Sequence, residues 1–345
     1  MIDYRLPENR REAFKRFWVW QLKTEDCDPA IYMTNYIFKR MQLNDEQKLW
    51  VAWLYANTYY LPTSWVIWNE FPDMHLVGLE RLDEWNTENY KRLRYQTDTK
   101  YNKGHLPTMF RSYKEWVGDK TQRERFNEIC TSDDPEMNFW LLWEEINKEF
   151  YKFGRYTAWF YMQHLAHCCS VNVRAPNLML VDSSGSHSHR DGLCYALGLD
   201  DKMGGRKQKV DPNFAATLEW QAKLIIMEIQ KEYPEVAAKA DMFAMETSLC
   251  AFKKLSRKKK GRYLGYYLDR QAEEIKTVER DGWNGIYWQL LWDARKETLI
   301  PELLHDMVDE NKMEHFLDTG TLAGLERFWN DEPETDNETS ILRFA

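Results

Sequence analysis

The stretch that decides the fold is residues 150–199, FYKFGRYTAWFYMQHLAHCCSVNVRAPNLMLVDSSGSHSHRDGLCYALGL. Its pattern predicts that one helix ends near Gly154 and that a second helix runs over 155–168. The glycine in the turn can take φ > 0 and lets another backbone come close. The free amides that open the second helix, together with Arg155 and Thr157, could hold a phosphate.

A carboxylate follows this hairpin. The apolar stretch Leu178–Val181 leads to Asp182, and a further short helix ends at Leu197–Gly198. The polar run after the aspartate contains Ser183, Ser184, Ser186, His187, Ser188, His189 and Arg190. Asp182 could deprotonate a nucleophile or stabilise developing positive charge, or it could cap the next helix, and the two roles are compatible. Together these features indicate a nucleic-acid reaction site.

Three motifs carry a resemblance. Gly-Arg-Tyr-Thr-Ala at 154–158, Leu-Val-Asp-Ser at 180–183 and Ala-Leu-Gly-Leu at 196–199 are similar to the helix-hairpin-helix DNA glycosylase superfamily. The resemblance implies that the hairpin, with Gly154, Arg155, Tyr156 and Thr157, binds the DNA backbone, and that Asp182 matches the catalytic aspartate. The chain as a whole resembles the phage amino acid:DNA transferases, also called α-glutamyl/putrescinyl thymine pyrophosphorylases. This similarity runs from about Asp28–Trp68 through Met245–Arg270.

Three features depart from the glycosylase pattern. Tyr156 stands where bifunctional glycosylases place an imine-forming lysine, so strand-cutting lyase chemistry is not expected. The connection from Tyr156 to Asp182 spans 26 positions (182 − 156), which leaves room for an enlarged pocket. The six cysteines (27, 130, 168, 169, 194, 250) lack the spacing of a four-cysteine cluster, so no iron–sulfur centre is implied.

The resemblance implies a reaction on a base in double-stranded DNA. The modified thymine would be flipped out of the helix, because a stacked base cannot be reached. Its pyrophosphorylated 5-hydroxymethyl group would lose pyrophosphate to an amine. The amine would come from a free amino acid such as glycine, serine or glutamate, or from a polyamine such as putrescine, and no cofactor is implied. Two alternatives stay open: a monofunctional glycosylase that removes a modified base, and a DNA- or protein-binding module that has lost catalysis.

The chemistry needs cations for the leaving pyrophosphate. The densest positive charge is the run Lys253, Lys254, Arg257, Lys258, Lys259, Lys260 and Arg262, which we interpret as a contact to the DNA backbone or to pyrophosphate rather than as a solvated helix end. Arg155 or Arg190 could assist it. Asp182 would keep the amine neutral, and Glu246 or Asp269 would hold it.

A face of the following helix resembles a binding face of the same transferases. It carries Arg262, Tyr266, Asp269 and Arg270 on neighbouring turns. Glu246 lies in an otherwise apolar helix and would be costly to bury alone. That cost would be offset if Glu246 paired with Arg262, with Arg270 or with a substrate amine.

Several clusters support weaker interpretations. His187 and His189, two apart, should point to different faces, although one of them could contact a phosphate or a base. His164, His167 and Cys168 lack a second ligand pair, so we expect no metal.

The basic and aromatic stretch 90–105 could stack bases or form the solvent-exposed face of a helix. Tryptophans 50, 53, 65 and 68 should be core, because their spacing is helical.

Composition narrows the class of protein. A formal net charge of −8 argues against indiscriminate nucleic-acid binding, while 16 Trp, 19 Tyr and 16 Phe suit a large core and a protein that stacks bases. Scattered cysteines indicate a reducing compartment. No signal peptide or apolar run of membrane-spanning length is evident. We therefore expect a cytoplasmic protein, in the host cell cytoplasm if phage-encoded.

The periodicity predicts an all-α fold. The expected helices are 8–22, 31–41, 45–59, 62–71, 79–100, 108–117, 136–150, 155–168, 212–233, 234–255, 263–279, 288–295, 301–316 and 321–329. Strand signals are confined to 170–173 and 179–181, and the charged loop 202–209 could be mobile. We expect one glycosylase-like helical domain over 1–330, with room for two lobes around 150–199, and an acidic, flexible tail over 331–345.

Overall fold

The helices of the computed structural model follow the hydrophobic periodicity of the chain. The structure describes residues 3–181, 187–204, 210–255 and 265–298. Within them lie α1 (Arg10–Thr24), α2 (Pro29–Met41), α3 (Asp45–Thr58), α4 (Leu61–Glu70), α5 (Leu79–Asn89), α6 (Leu106–Val117), α7 (Gln122–Ile129), α8 (Pro135–Glu149), α9 (Arg155–Cys168), α10 (Ser188–Ala196), α11 (Pro212–Glu232), α12 (Met242–Leu255), α13 (Tyr266–Arg280) and α14 (Trp288–Thr298). Short 3₁₀ helices add Pro7–Asn9, Met74–Leu76, Asn102–His105, Asp200–Lys202 and Pro234–Lys239. Because these ranges contain no strand, the all-α prediction is confirmed.

Several helix ends are fixed by the residues that the sequence indicated. Asn44 caps α3 in a reciprocal capping box with Gln47, and Asp134 accepts a hydrogen bond from the Glu136 amide at the start of α8. Gly118 ends α6 with φ 65°. Each of these residues satisfies amides or carbonyls that a helix end leaves unpaired.

Four local predictions are wrong. Helix α5 ends at Asn89 rather than at 100, because the next segment turns to place Arg92 and Arg94 against Asp281. Residues 234–239 form a 3₁₀ helix, so α12 begins only at 242. The segments 170–173 and 179–181 are not strands. The helix α7 was not predicted, although its Thr121–Glu124 capping box is visible in the sequence.

The core is built around α9 and is rich in tryptophan. Trp159 of α9 and Trp50 and Trp53 of α3 are fully buried, and the Trp50 and Trp53 rings stack with centroids 5.1 Å apart. Trp65 and Trp68 of α4 are also buried, so the prediction that these four tryptophans of α3 and α4 belong to the core is confirmed.

Helices α10 and α12 approach closely at Gly192. A Cβ atom at this position would lie 2.2 Å from the Leu249 carbonyl oxygen, so only glycine permits the contact. This contact sets His189 of α10 beside Glu246 of α12. No helix in the described ranges is long and apolar enough to cross a membrane.

Several predicted segments lie outside the described residues: helices 301–316 and 321–329, the tail 331–345 and most of the loop 202–209. The division into one domain and a tail stays a prediction.

Candidate active site

The first side chain of α9 anchors a buried polar cluster. Arg155 is only 1% exposed, and its Nη2 donates a hydrogen bond to the Leu178 carbonyl at 2.9 Å. The same nitrogen lies 3.0 Å from Nε2 of His189, and Nη1 lies 4.0 Å from Oε1 of Glu246. A guanidinium can only donate, so His189 Nε2 accepts and its ring proton resides on Nδ1. That nitrogen is 3.3 Å from Glu246 Oε1, which completes the Arg155–His189–Glu246 cluster.

Burial sets the protonation of this cluster. Desolvation raises the pKa of Glu246, and the charges of Arg155 and Lys254 partly oppose the rise. Desolvation, reinforced by the Arg155 charge, lowers the pKa of His189 well below its ordinary value. The imidazole is therefore neutral at physiological pH, and Arg155 is the cation that offsets the Glu246 carboxylate.

A second group of charges, contributed by the α10 region and by α12, surrounds Asp191. His187 Nδ1 lies 2.8 Å from the Asp191 carboxylate, and Lys253 Nζ lies 3.6 Å from it. Arg190 Nη2 approaches the other carboxylate oxygen at 3.6 Å. His187 and His189 therefore engage different partners, as their spacing predicted. Arg190 and Lys253 are almost fully buried, so these two predicted DNA contacts serve the interior instead.

The segment that leads to Asp182 is held from two sides. Glu219 of α11 accepts hydrogen bonds from the amides of Leu178 at 2.7 Å and Leu180 at 2.9 Å. Arg155 binds the Leu178 carbonyl from the opposite side. These bonds replace the strand pairing that 179–181 suggested. Asp182, Ser183 and Ser186 themselves lie outside the described residues.

A pocket of about 460 Å³ opens beside this segment. It is lined by Trp140, Asn177, Met179, Leu180, Val181, Pro212, Ala216, Glu219, Trp220 and Lys223. Trp220 is 58% exposed and Trp140 37%, which is unusual in a chain whose other tryptophans are mostly buried. The volume falls in the range of small-molecule sites, and the walls are mostly apolar.

A further polar site, which the sequence did not predict, centres on the buried Asp28 carboxyl group. Its carboxylate accepts hydrogen bonds from Gln163 Nε2 at 2.7 Å and from Thr247 Oγ1 at 3.1 Å. Thr247 follows Glu246 on α12, and the charge of Glu246 helps to raise the pKa of Asp28, so the two buried carboxyl groups influence each other. An aspartate before a proline reads as an ordinary helix cap, which is why the sequence did not reveal it.

The family model described as amino acid:DNA transferase matches residues 16–260. The chain belongs to this family. It is also 29% identical to a serinyltransferase of Salmonella phage ViI over 347 aligned positions, which cover 92% of this chain and 83% of that protein. No solved structure matches the chain.

Membership of the amino acid:DNA transferase family confirms the resemblance and makes the protein a transferase. The matched range contains all three residues of the Arg155–His189–Glu246 cluster, Asp28 and the segment before Asp182. The helix-hairpin-helix glycosylase fold itself stays a prediction, although α8, a short turn and α9 occupy the expected places.

The hairpin of this transferase differs from the prediction in its details. The left-handed residue of the turn is Lys152 (φ 59°), whereas Gly154 caps α9 with an extended backbone (φ −73°). Arg155 and Thr157 face the interior, and Tyr156 packs between Tyr59 and Phe160. The Arg155 and Thr157 side chains therefore do not aid a phosphate at the surface. Gly154 is exposed, so the first amides of α9 remain the candidate contact there.

Helix α13 does not supply the partner of Glu246. Arg270 pairs with Glu274 at 2.7 Å and lies over the Tyr59 ring at 5.0 Å, and Asp269 lies 3.7 Å from Arg295. The expectation that Arg270 pairs with Glu246 is wrong, because Arg155 takes that place. The other residues predicted for this face and for the basic run differ in whether the structure describes them. Lys254 and Tyr266 are half-buried, and Arg257, Lys258 and Arg262 lie outside the described residues.

Three donor atoms of the site could hold a metal ion in principle. His189, Glu246 and Cys250 each offer one atom, and these atoms lie within 4.8 Å of one another. Arg155 already places a cation against two of them. A metal ion would have to displace that guanidinium, so the arrangement fits an internal salt bridge better than a metal centre.

Proposed function

We propose that this transferase joins the amine of an amino acid to a pyrophosphorylated 5-hydroxymethyluracil base in DNA. The amine nitrogen attacks the methylene carbon on C5 of the base, and a new C–N bond forms. The C–O bond to pyrophosphate breaks, and pyrophosphate leaves with the electron pair. The ammonium proton passes to a protein base. The observation that carries the proposal is the match of the family model to residues 16–260, which include the buried Arg155–His189–Glu246 cluster.

Asp182 is the proposed proton acceptor. Two independent anchors, Arg155 and Glu219, fix the backbone of Leu178 and Leu180 just before it. Such anchoring is what a reacting group requires, since a displacement of about 1 Å can cost a hundredfold in rate. In this proposal Arg155 and Glu219 are positioning residues, and they need not touch the substrate.

The cations for the leaving pyrophosphate would come from the basic run after α12. Arg155, Arg190 and Lys253 are buried in contacts with the protein, so they do not serve this purpose. The run from Lys254 to Arg262 would bind pyrophosphate or the DNA backbone. The exposed rings of Trp140 and Trp220 offer stacking faces for bases displaced when the target is flipped.

The test is nucleoside mass spectrometry of DNA that carries pyrophosphorylated 5-hydroxymethyluracil, incubated with the protein and an amine. Because the phage ViI relative is named a serinyltransferase, serine is the first donor to try, followed by glycine, glutamate and putrescine. We expect one nucleoside with the mass of thymidine plus the amine less two hydrogen atoms, with release of pyrophosphate. Abasic sites would indicate a glycosylase, and unchanged DNA that still binds would indicate a binding module.

A matched pair of variants tests the role of Asp182. Asp182→Asn should abolish transfer while DNA affinity is kept. Asp201→Asn makes the same chemical change at a side chain that is 71% exposed, and it should transfer normally. Full activity in Asp182→Asn would place the base elsewhere.

A further inference from the structure

Asp28 occupies a capping position without acting as a cap. It precedes α2 at the N-cap position, yet its side chain makes no capping hydrogen bond to that helix. Its two oxygens instead accept from Gln163 of α9 and Thr247 of α12. An aspartate in this position normally satisfies the first amides of the helix. The structure holds this carboxylate in a different direction, toward the interface of α9 and α12.

The carboxylate forms no ion pair with a described residue, although the charge of His167, itself paired with Asp241, lowers its pKa. Its three hydrogen-bond donors, Gln163, Thr247 and the Cys27 thiol, are neutral, and among the described residues no lysine, arginine or histidine nitrogen forms an ion pair with it. Burial raises the pKa of Asp28 to about 8, against the opposing effect of the Gln163 and Thr247 hydrogen bonds. A buried carboxylate is costly unless a positive charge accompanies it. At neutral pH this pKa leaves the group mostly protonated, so a cation from outside would complete the site by stabilising the ionised form.

The carboxylate borders a small cavity. The cavity measures about 130 Å³ and is lined by Cys27, Asp28, Ile31, Tyr32, Asn35, Gln163, His167, Ala238, Lys239 and Ala244. Two ion pairs contribute to its wall: His167 lies 3.0 Å from Asp241, and Lys239 lies 3.1 Å from Glu25. The volume is far below the roughly 300 Å³ at which sites for drug-sized ligands begin. The cavity therefore suits a ligand of few atoms, with a positive end for Asp28.

We propose that this cavity binds the amino-acid donor, with its ammonium group on the Asp28 carboxylate and its carboxylate toward His167 and Lys239. Each of these two cations would then be shared between the donor and its present partner, Asp241 for His167 and Glu25 for Lys239. The inference rests on the proposed function and gives the donor a place. The two acids that the sequence suggested for the amine, Glu246 and Asp269, form ion pairs with Arg155 and Arg295, whereas Asp28 forms no ion pair with any described residue. Because Thr247 adjoins Glu246, the bound amine lies next to the Arg155–His189–Glu246 cluster.

The size of the cavity predicts which donors bind. Serine and glycine fit a small cavity with both polar and apolar walls, whereas glutamate brings a second carboxylate and more volume. Putrescine carries an ammonium for Asp28 but has no carboxylate for His167 and Lys239. Affinity should therefore fall from serine and glycine to glutamate and putrescine.

Isothermal titration calorimetry of the full chain with L-serine, without DNA, tests the site. We expect wild-type protein to bind L-serine and Asp28→Asn to bind at least about tenfold more weakly, since a charge-assisted hydrogen bond is lost. Asp201→Asn is the matched surface control and should bind as wild type does. Equal affinity in wild type and Asp28→Asn would overturn the proposal, as would a wild-type protein that binds neither L-serine nor glycine.

A second variant keeps the test independent of the folding of Asp28→Asn. Asn35 lies at the exposed edge of the cavity, so Asn35→Trp should cover the entrance and weaken L-serine binding without removing a charge. Unchanged binding in this variant would also count against the cavity. The transfer assay on modified DNA is separate: wild-type transfer with normal serine affinity in Asp28→Asn would refute the donor site alone, and serine binding without transfer would refute the reaction alone.

Discussion

Removing the carboxylate of Glu246 should destabilise the protein severely. The Arg155 and Glu246 side chains are 1% and 4% exposed, and their charged atoms lie 4.0 Å apart. At that distance and an effective dielectric constant of about 20, Coulomb's law gives an attraction of about 4 kcal/mol. Glu246→Gln removes the carboxylate paired with the buried Arg155 guanidinium and leaves it the more distant charge of Glu219, and breaking a buried pair typically costs about 3–5 kcal/mol. We expect a loss of about 3–4 kcal/mol in the free energy of unfolding.

A double-mutant cycle isolates the pair. Arg155→Met, Glu246→Gln and the double variant would be compared by urea unfolding at pH 7, followed by far-ultraviolet circular dichroism. The double variant buries no unpaired charge, so its loss should be smaller than the sum of the two single losses by about 2 kcal/mol. Losses that add to within about 0.5 kcal/mol would refute the argument that the two charges stabilise each other.

Three further changes test the fold and the Asp28 site, each by urea unfolding. Gly192→Ala should cost about 3 kcal/mol or more, because its Cβ would lie 2.2 Å from the Leu249 oxygen; a loss below about 1 kcal/mol would show that α10 and α12 can separate easily. Thr121→Ala removes the side-chain half of the α7 capping box and should cost about 1 kcal/mol, whereas an unchanged midpoint would mean that the cap contributes nothing. Asp28→Asn should gain stability relative to wild type as pH rises from about 4 to about 8. The folded pKa of Asp28 is about 8 and exceeds the unfolded value, so wild type loses stability across that window and the uncharged amide does not. A parallel pH profile for both proteins would contradict a buried, unpaired carboxylate. The titratable groups near this carboxylate are His167, Lys239, Glu246, Asp241, Cys27 and Tyr32, and burial raises the pKa values of the Cys27 thiol and the Tyr32 hydroxyl so that both are neutral.

Local signals predicted most of the helices. Capping side chains such as Asn44 and Asp134, the glycine stop at Gly118 and helical hydrophobic spacing all act within a few residues, so they can be read from a sequence. The error in the predicted end of α5 arises instead from contacts between residues far apart in the sequence. That segment continues a helical pattern, but Arg92 and Arg94 bind Asp281, which lies almost 190 positions away.

The site could be predicted only in part. The hairpin and the Glu246 helix were singled out because their residues stand in recognisable motifs. The partner of Glu246 was not found, because Arg155 lies 91 positions earlier (246 − 155) and pairing at that distance depends on how helices pack. The same holds for Asp28, whose hydrogen-bond partners are 135 and 219 positions away. Its local context, an aspartate before a helix-starting proline, gave the competing and simpler explanation of a cap.

The contact at Gly192 has a consequence for motion. With the backbones of α10 and α12 touching, neither helix can slide or rotate past the other, so the pair should move as one rigid body. His189 lies three residues before Gly192, and Glu246 lies three residues before Leu249. Their mutual geometry is therefore set before any substrate arrives. When a large substrate such as DNA binds, we expect the segments that connect α10 and α12 to the other helices to change conformation. The polar cluster between the two helices then stays preorganised.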